Sequence, residues 1–355
     1  MQKTSNGDYI LDATRLENLV TRLLEKVAVP AENAAILARS LVASDLRGMN
    51  SHGILRLPIY MQRIQDGGFK ADSMGRIIRE TPGTVLLDGE DALGAVLTCR
   101  AMDEAIKRAK TTGIAAAGVF NSNHNGEGAF YALRAIDAGM IGICTTNGSP
   151  NMPPWGGKTK MTGPLPITVG VPAGDESPLV LDLALGMSSR GKILYYADKK
   201  IPLPDGWLVD AEGKPTNDAE QIKKGGWILP IGGHKGWGLI TVVEVLSGVL
   251  TGGALGKDIV ELYGNTTKAQ KIGHFVMAID VAAFMDCSVF KKRMDQYIRM
   301  LKSSEPVSGS QGVIIPGEPE FLKEKTQRQN GLAITCKVVD DILDIAQKLG
   351  VEPKL

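Results

Sequence analysis

Aromatic residues are scarce, at 5% of the 355-residue chain, too few for a platform on which nucleic-acid bases would stack. Net charge is scarce as well: 40 Lys and Arg against 39 Asp and Glu leave +1, where a nucleic-acid surface needs a local excess of cations. The four cysteines, Cys99, Cys144, Cys287 and Cys336, lie far apart with no C-x-x-C pair. That spacing suits neither a zinc site nor a disulfide framework and reads as free thiols in a reducing compartment. The opening MQKTSNGDYILDATRL lacks the apolar core and small-residue cleavage site of a secretory signal. The most apolar stretch, 238–250, contains Glu244 and falls short of the roughly 20 residues a membrane helix needs. The expectation is a cytoplasmic protein with no membrane, nucleic-acid or metal partner.

Several motifs are also missing. No G-x-G-x-x-G occurs, so the Rossmann fingerprint is absent. GMSSRGKI at 186–193 comes within one residue of a phosphate-binding P-loop, but Ile193 stands where a magnesium-binding hydroxyl is required. Neither G-x-S-x-G nor H-E-x-x-H is present, which removes the simplest hydrolase and zinc-protease readings.

Glycine, by contrast, is abundant, with 42 residues spread along the chain as turns and close backbone approaches rather than a low-complexity tail. The length suits two domains at roughly 100 to 200 residues each. From Asp12, Leu16, Leu19, Val20, Leu23 and Leu24 recur at helical spacing. Pro30 opens a second helix running to Leu46, and Leu57, Tyr60, Met61 and Ile64 mark a third, closed by Gly67 and Gly68. After Pro82 short apolar runs bounded by glycine alternate with helical stretches. Strands are expected at 84–87, 113–120, 140–145, 167–171, 178–183, 275–279 and 331–335. Helices are expected at 98–110, 129–138, 191–198, 236–250, 289–301 and 338–349. The fold class is therefore α/β (α+β). A helical N-terminal domain over 1–72 is expected, joined by helices at 238–265 and 288–303. An α/β domain is expected over 73–237 with 270–287 and 310–355.

Three segments carry candidate chemistry. RGMNSHGILRLPIY at 47–60 would place His52, Arg56 and Tyr60 on one face if the chain is helical from His52 onward. An imidazole moves protons near neutral pH and a guanidinium grips a carboxylate, although a helix cap whose arginine meets a nearby acid explains the segment equally well. NSNHNGEGAFY at 121–131 puts His124 in a polar turn between a strand and a helix, where α/β sheets carry ligand loops, or where a simple Asn-rich turn sits. GGHKGWG at 232–238 sets His234 and Lys235 among glycines before an apolar helix, a phosphate cradle or a flexible turn. Pro316–Gly317–Glu318–Pro319 forms a further rigid turn.

Taken together these segments resemble the malate/L-lactate dehydrogenase family, unrelated to the Rossmann dehydrogenases, which also includes diketogulonate reductase and ureidoglycolate and sulfolactate dehydrogenases. Besides the segments above, the likeness rests on DGEDALGAVLTCRAMDEAI at 88–106, MPPWGG at 152–157, LDLALGMSSRGKI at 181–193, IPLPDGWLVDAEGKPTND at 201–218 and PGEPE at 316–320. It runs nearly end to end. The resemblance implies NAD or NADP bound across a non-Rossmann sheet, a 2-hydroxy or 2-keto acid substrate with malate or lactate foremost, and a homodimer. Cyclic imine reduction, ureidoglycolate oxidation and dinucleotide binding without catalysis are the alternatives. The family's acid-base histidine corresponds in some members to His52 and in others to His124, and the substrate-carboxylate arginine to Arg56, with Tyr60 beside it. Cofactor contacts carry over to Pro178, Leu179, Val180, Leu181, Asp182, Leu183 and Ala184, to His234 and Lys235, and to Gly317, Glu318 and Pro319. Two positions depart from the family. Leu165 stands in place of an asparagine, and Gly186 in place of a serine or threonine. If Leu165 faces the pocket, Leu165→Asn is expected to favour oxaloacetate over pyruvate.

Overall fold

The computed structural model describes residues 2–4 and 7–355. Strands β1 (Gln2–Lys3) and β2 (Tyr9–Leu11) pair antiparallel before α1 (Ala13–Lys26), whose cap Asp12 accepts from the Arg15 amide at 2.8 Å. The α1 leucines and Val20 read from the spacing are all buried. Helix α2 (Ala31–Leu46) follows Pro30, and packing against α1 and other helices on several sides buries much of its circumference.

The chain is not continuously helical from His52 onward, the condition for His52, Arg56 and Tyr60 to share a face. The 3₁₀ turns Asn50–His52 and Ile54–Arg56 are separated by Gly53 in an extended conformation, and only then does α3 (Leu57–Gln65) begin. The cause is Asp45. Its buried carboxylate accepts from the Ile54 amide at 2.7 Å and the Asn50 side chain at 2.8 Å, and any Cβ at residue 53 would collide with it. His52 and Arg56 therefore do not share a helix face with Tyr60.

The remaining chain builds β3 (Arg76–Glu80), β4 (Thr84–Asp88), α4 (Gly94–Thr112), β5 (Ile114–Ser122), α5 (Ala129–Asp137), β6 (Met140–Thr146), β7 (Pro166–Val171) and β8 (Leu179–Ala184). There follow α6 (Arg190–Lys199), a small sheet of β9 (Leu208–Val209), β10 (Pro215–Thr216) and β11 (Trp227–Ile228), then α7 (His234–Glu244) with a π-helical turn at Val245–Val249. The chain ends with β12 (Ile272–Asp280), α8 (Cys287–Lys302), α9 (Glu318–Asn330), β13 (Leu332–Ile334) and α10 (Cys336–Lys348). The main sheet has the order β3-β4-β5-β12-β6-β7-β8. Only β4 and β5 run parallel, so this is not the parallel nucleotide-binding sheet of Rossmann proteins. Strand β12 enters at the centre, between α4 on one face and the π-turn on the other, which explains the apolar run Phe275–Ile279 beyond His274.

Packing divides the helices differently from the expected domains. The N-terminal core gathers α1, α2 and α3 with β2, β13, α10 and the start of α4. Thus 332–348, expected with the sheet, covers the helical unit. Helices expected beside that unit lie elsewhere: Ile240 and Val243 of α7 pack with Leu165 and Leu185, and Ile298 of α8 packs with Ala173 and Ile315.

Candidate active site

A cavity of about 560 Å³ opens between the Asn50–His52 turn, the loop after β5, the 146–151 and 163–166 segments and the end of β8. His52 and His124 both line it. Their rings stack with centroids 5.7 Å apart and planes at 13°, although 72 residues separate them in the chain. Tyr60 reaches the same place from behind, its Oη 2.5 Å from His124 Nδ1. The His124 backbone amide donates to Gln270 Oε1 at 2.9 Å, and the Gln270 amide donates to Asn123 Oδ1 at 2.8 Å. His124 is thus fixed at both ring and main chain, with Nε2 left unengaged. His52 Nδ1 meets only the adjacent Ser51 hydroxyl, at 2.9 Å.

Burial, with neighbouring Arg56, pushes His52 down to about 4. His124 is held well below the ordinary imidazole range by burial first, then by His52, Arg56 and His274. The Tyr60 phenol is pushed up by burial and stays protonated. At neutral pH both rings are therefore neutral, the state in which an imidazole accepts a proton.

Arg56 does not line this cavity. Its Nε donates to Ser51 O at 2.7 Å and its Nη1 to Tyr263 Oη at 2.6 Å, with the guanidinium 5.4 Å from the Tyr263 ring centroid. The loop bearing Tyr263 is shaped by Arg63, a fully buried arginine of α3. Arg63 donates to the carbonyls of Glu261 at 2.6 Å, Leu262 at 2.7 Å, Lys268 at 2.8 Å and Asn265 at 3.3 Å.

Strand β8 joins this cavity to a second one of about 270 Å³. Leu183 and Ala184 border the first, Val180 and Leu181 the second, and Asp182 both. The second cavity is walled by Ile314, Ile315 and Pro316, with Gly317 and Pro319 from the turn that starts α9. Gly317 has φ +89°, and a Cβ there would sit 2.9 Å from Val180 O, so the turn lies directly on the strand. Asp182 accepts from the Thr168 hydroxyl at 2.7 Å and the Ala129 amide at 2.8 Å, while burial raises its pKa against those bonds. At the junction Arg47 Nε donates to Glu127 Oε1 at 3.1 Å, leaving Arg47 Nη1 and Glu127 Oε2 buried without a hydrogen-bond partner among the described residues. Gly317's close approach and these orphaned polar atoms along one continuous groove fit an extended ligand carrying both polar and apolar groups, as a dinucleotide does.

Pro178, Glu318, His234 and Lys235 line neither cavity. Pro178 precedes β8, and Glu318 is engaged by the Ile315 amide at 3.1 Å and by Lys302. His234 and Lys235 are exposed on the first turn of α7, where His234 meets the edge of Trp155. Leu165 borders the first cavity yet is 3% exposed, packed with Met152, Leu185 and Val209, and its carbonyl accepts from the Leu185 amide at 3.1 Å. Sequence reasoning missed Arg47, Asp45, Glu127, Gln270 and His274. Only Arg47 and Glu127 carried a local hint, as charged residues inside the candidate motifs. His274, on β12, bridges Thr146 at 2.8 Å and Ser122 at 2.7 Å and is pushed down to about 3 by burial, a neutral strut behind the His124 loop.

A family profile described as malate/L-lactate dehydrogenase matches residues 11–343. The malate dehydrogenase of Pyrococcus horikoshii is 39% identical over 345 residues, 95% of each chain. The ureidoglycolate dehydrogenase (NAD(+)) of Escherichia coli strain K12 is 30% identical over 327 residues, 92% of each chain. The solved structure of sulfolactate dehydrogenase from Methanocaldococcus jannaschii superposes with a TM-score of 0.92 at 35% identity, covering 98% of this chain and 99% of that one.

Proposed function

Because the chain belongs to the malate/L-lactate dehydrogenase family, we propose that His124 is the acid-base residue of a site in which His52, Arg56 and β8 divide the remaining work. The protein is an oxidoreductase that moves hydride between NAD or NADP and a 2-hydroxy or 2-keto acid. The observation that carries the assignment is the 2.5 Å contact between Tyr60 Oη and His124 Nδ1. In the tautomer whose Nδ1–H donates to Tyr60 Oη, Nε2 keeps its lone pair and can act as a base towards the cavity that His124 lines. In hydroxy acid oxidation His124 Nε2 takes the hydroxyl proton. In the reverse direction the same nitrogen returns it to the carbonyl oxygen. His52, stacked on His124 and less firmly anchored, shapes the pocket and excludes water.

NAD or NADP, when bound, supplies the hydride acceptor or donor. Residues 180–184 with Gly317 and Pro319 would hold it along the groove, with Gly317 allowing close approach and Glu318 fixing the turn. Lys235 and His234 would reach a phosphate from the first turn of α7. Arg56, now held by Ser51 and Tyr263, would release Tyr263 to grip the substrate carboxylate by two hydrogen bonds. Malate is the substrate favoured by the relatives, and lactate lacks the second carboxylate that would use the polar end of the cavity around Ser149, Asn151 and Ser188.

The experiment is a comparison of His124→Ala and His52→Ala with malate, lactate, ureidoglycolate and their keto counterparts, with NAD and NADP. General acid-base help is worth about 10² to 10⁴ in rate, so His124→Ala should lose that factor with cofactor affinity intact. Wild-type turnover in His124→Ala would overturn the assignment, and a full loss confined to His52→Ala would exchange the two roles.

A homodimer is the reading supported by α7 and the π-helical turn after it, which expose Leu239 and Val242, then Val245, Val249 and Leu250. Sedimentation should give a dimer for the wild type and a monomer for Val242→Asp, and a monomeric wild type would refute it. A cytoplasmic setting is supported by four unpaired cysteines. Among the described residues no helix is long and apolar enough to cross a membrane.

A further inference from the structure

Glu127 lies three residues beyond His124 with its side chain 3% exposed, and it lines both cavities of the groove. One oxygen pairs with Arg47 Nε, whereas Oε2 has no partner among the described residues. Arg47 cannot neutralise it fully, since Arg47 is shared: Nη1 lies 3.8 Å from Glu324 of α9, and the guanidinium stacks 4.9 Å from the Phe321 ring centroid. The other groups facing Glu127 are Asp182 from β8 and the Ser44 hydroxyl from α2, and Glu320 of α9 borders the second cavity. A buried carboxylate with an unsatisfied oxygen is costly, and an apolar pair would fill the same space at no such cost. The cost is offset when a positive charge enters the cavity beside it, where little water screens the interaction. Oxidised and reduced nicotinamide differ by one such charge.

We propose that Glu127 is the countercharge that sets the affinity for oxidised relative to reduced dinucleotide. This rests on the reading that His52 and His124 mark the nicotinamide end of the groove. Burial holds the Glu127 carboxyl up at about 7, with Asp182 adding to the shift and Arg47 opposing it. Part of the population is therefore protonated at neutral pH. Binding of the oxidised form draws the carboxyl to carboxylate and releases the proton to buffer. The reduced form, carrying no ring charge, releases none. By linkage, affinity for the oxidised form rises with pH through that range while affinity for the reduced form does not.

The test is isothermal titration of wild type and Glu127→Gln with NAD⁺, NADH, NADP⁺ and NADPH between pH 6 and 8, repeated in buffers of different ionisation enthalpy. Glu127→Gln should weaken the oxidised form relative to the reduced one by about tenfold, the equivalent of one pKa unit of differential interaction. Wild type should release a fractional proton with the oxidised form only. That proton count needs no variant, so it decides the matter even if Glu127→Gln fails to fold. Equal proton release with both redox forms, or an unchanged affinity ratio in a folded Glu127→Gln, would overturn the proposal. Failure of wild type to bind any of the four would instead overturn the reading of the groove on which it rests.

Discussion

Replacing Tyr60 by Phe removes one oxygen from the site and little else. Tyr60 is 2% exposed and packs beside Phe69 with ring centroids 5.9 Å apart, so the new ring occupies the same volume. Stability should fall by about 1 to 3 kcal/mol, the cost of leaving the buried His124 Nδ1 without its partner. The effect on turnover runs through His124, whose Nδ1 would lose the partner 2.5 Å away. The tautomer with a proton on Nδ1 is the one that leaves Nε2 free, and an unpaired buried donor costs about 1 to 3 kcal/mol. At about 1.4 kcal/mol per factor of ten, turnover should drop roughly 5- to 150-fold. Both reaction directions should fall together, because one tautomer serves both. Steady-state rates with malate and oxaloacetate measure this, with fluorescence titration of NADH and NADPH alongside. Turnover within about twofold of wild type would refute the role of Tyr60, as would a loss confined to cofactor affinity.

Hydroxy acid oxidation at saturating cofactor needs neutral imidazoles, and burial lowers both. A lowered pKa keeps the base form present as pH falls, so this rate should hold from pH 8 to below the ordinary imidazole value of about 6.5, with no break there. Keto acid reduction needs the protonated ring and should rise towards acid pH over the same span; a break near 6.5 in the oxidation profile would contradict the burial argument. Arg56→Lys should raise KM for keto acids by at least about tenfold, since a point charge cannot replace a planar fork on a carboxylate, and an unchanged KM would return Arg56 to its contacts with Ser51 and Tyr263. Leu165→Asn buries an amide among Met152, Leu185 and Val209, so calorimetry should show a loss of about 2 to 4 kcal/mol with the oxaloacetate-to-pyruvate ratio unchanged. A shifted ratio at wild-type stability would place that side chain against the substrate instead.

The helices of the N-terminal unit were legible because leucines at three- and four-residue spacing have one physical explanation, a face turned to a core. The strands from β4 to β8 were legible for the same reason in another period. What could not be read is what depends on distant parts of the chain meeting. The line from His52 to Tyr60 looked helical, and the break at Gly53 is dictated by an acid eight residues earlier in space it alone fills. Both ends of the broken line nevertheless arrive at His124, which no local pattern indicates. Helix α9 was hidden behind its proline-rich start and has no strong apolar stripe to announce it. The Arg47–Glu127 pair spans 80 positions, and His274 sits inside a strand whose sequence shows only that it is buried.

Arg63 holds the 261–268 loop entirely through main-chain carbonyls. Every residue type presents the same carbonyl, so these four contacts do not depend on the side chains the loop carries, whereas the Thr266 hydroxyl on Asp66 and the Asn265 side chain on Thr267 do. Tyr263, exposed and in contact with Arg56, can therefore be exchanged without redesigning the backbone that displays it, whereas Leu262 also packs against the N-terminal core. Such a loop is an interchangeable insert: selection or engineering can vary what it offers to the substrate while one arginine, about 200 residues away in the chain, preserves its shape. The same arrangement makes Arg63 the position where variation is least tolerated, since no other side chain supplies a planar set of donors to four acceptors at once.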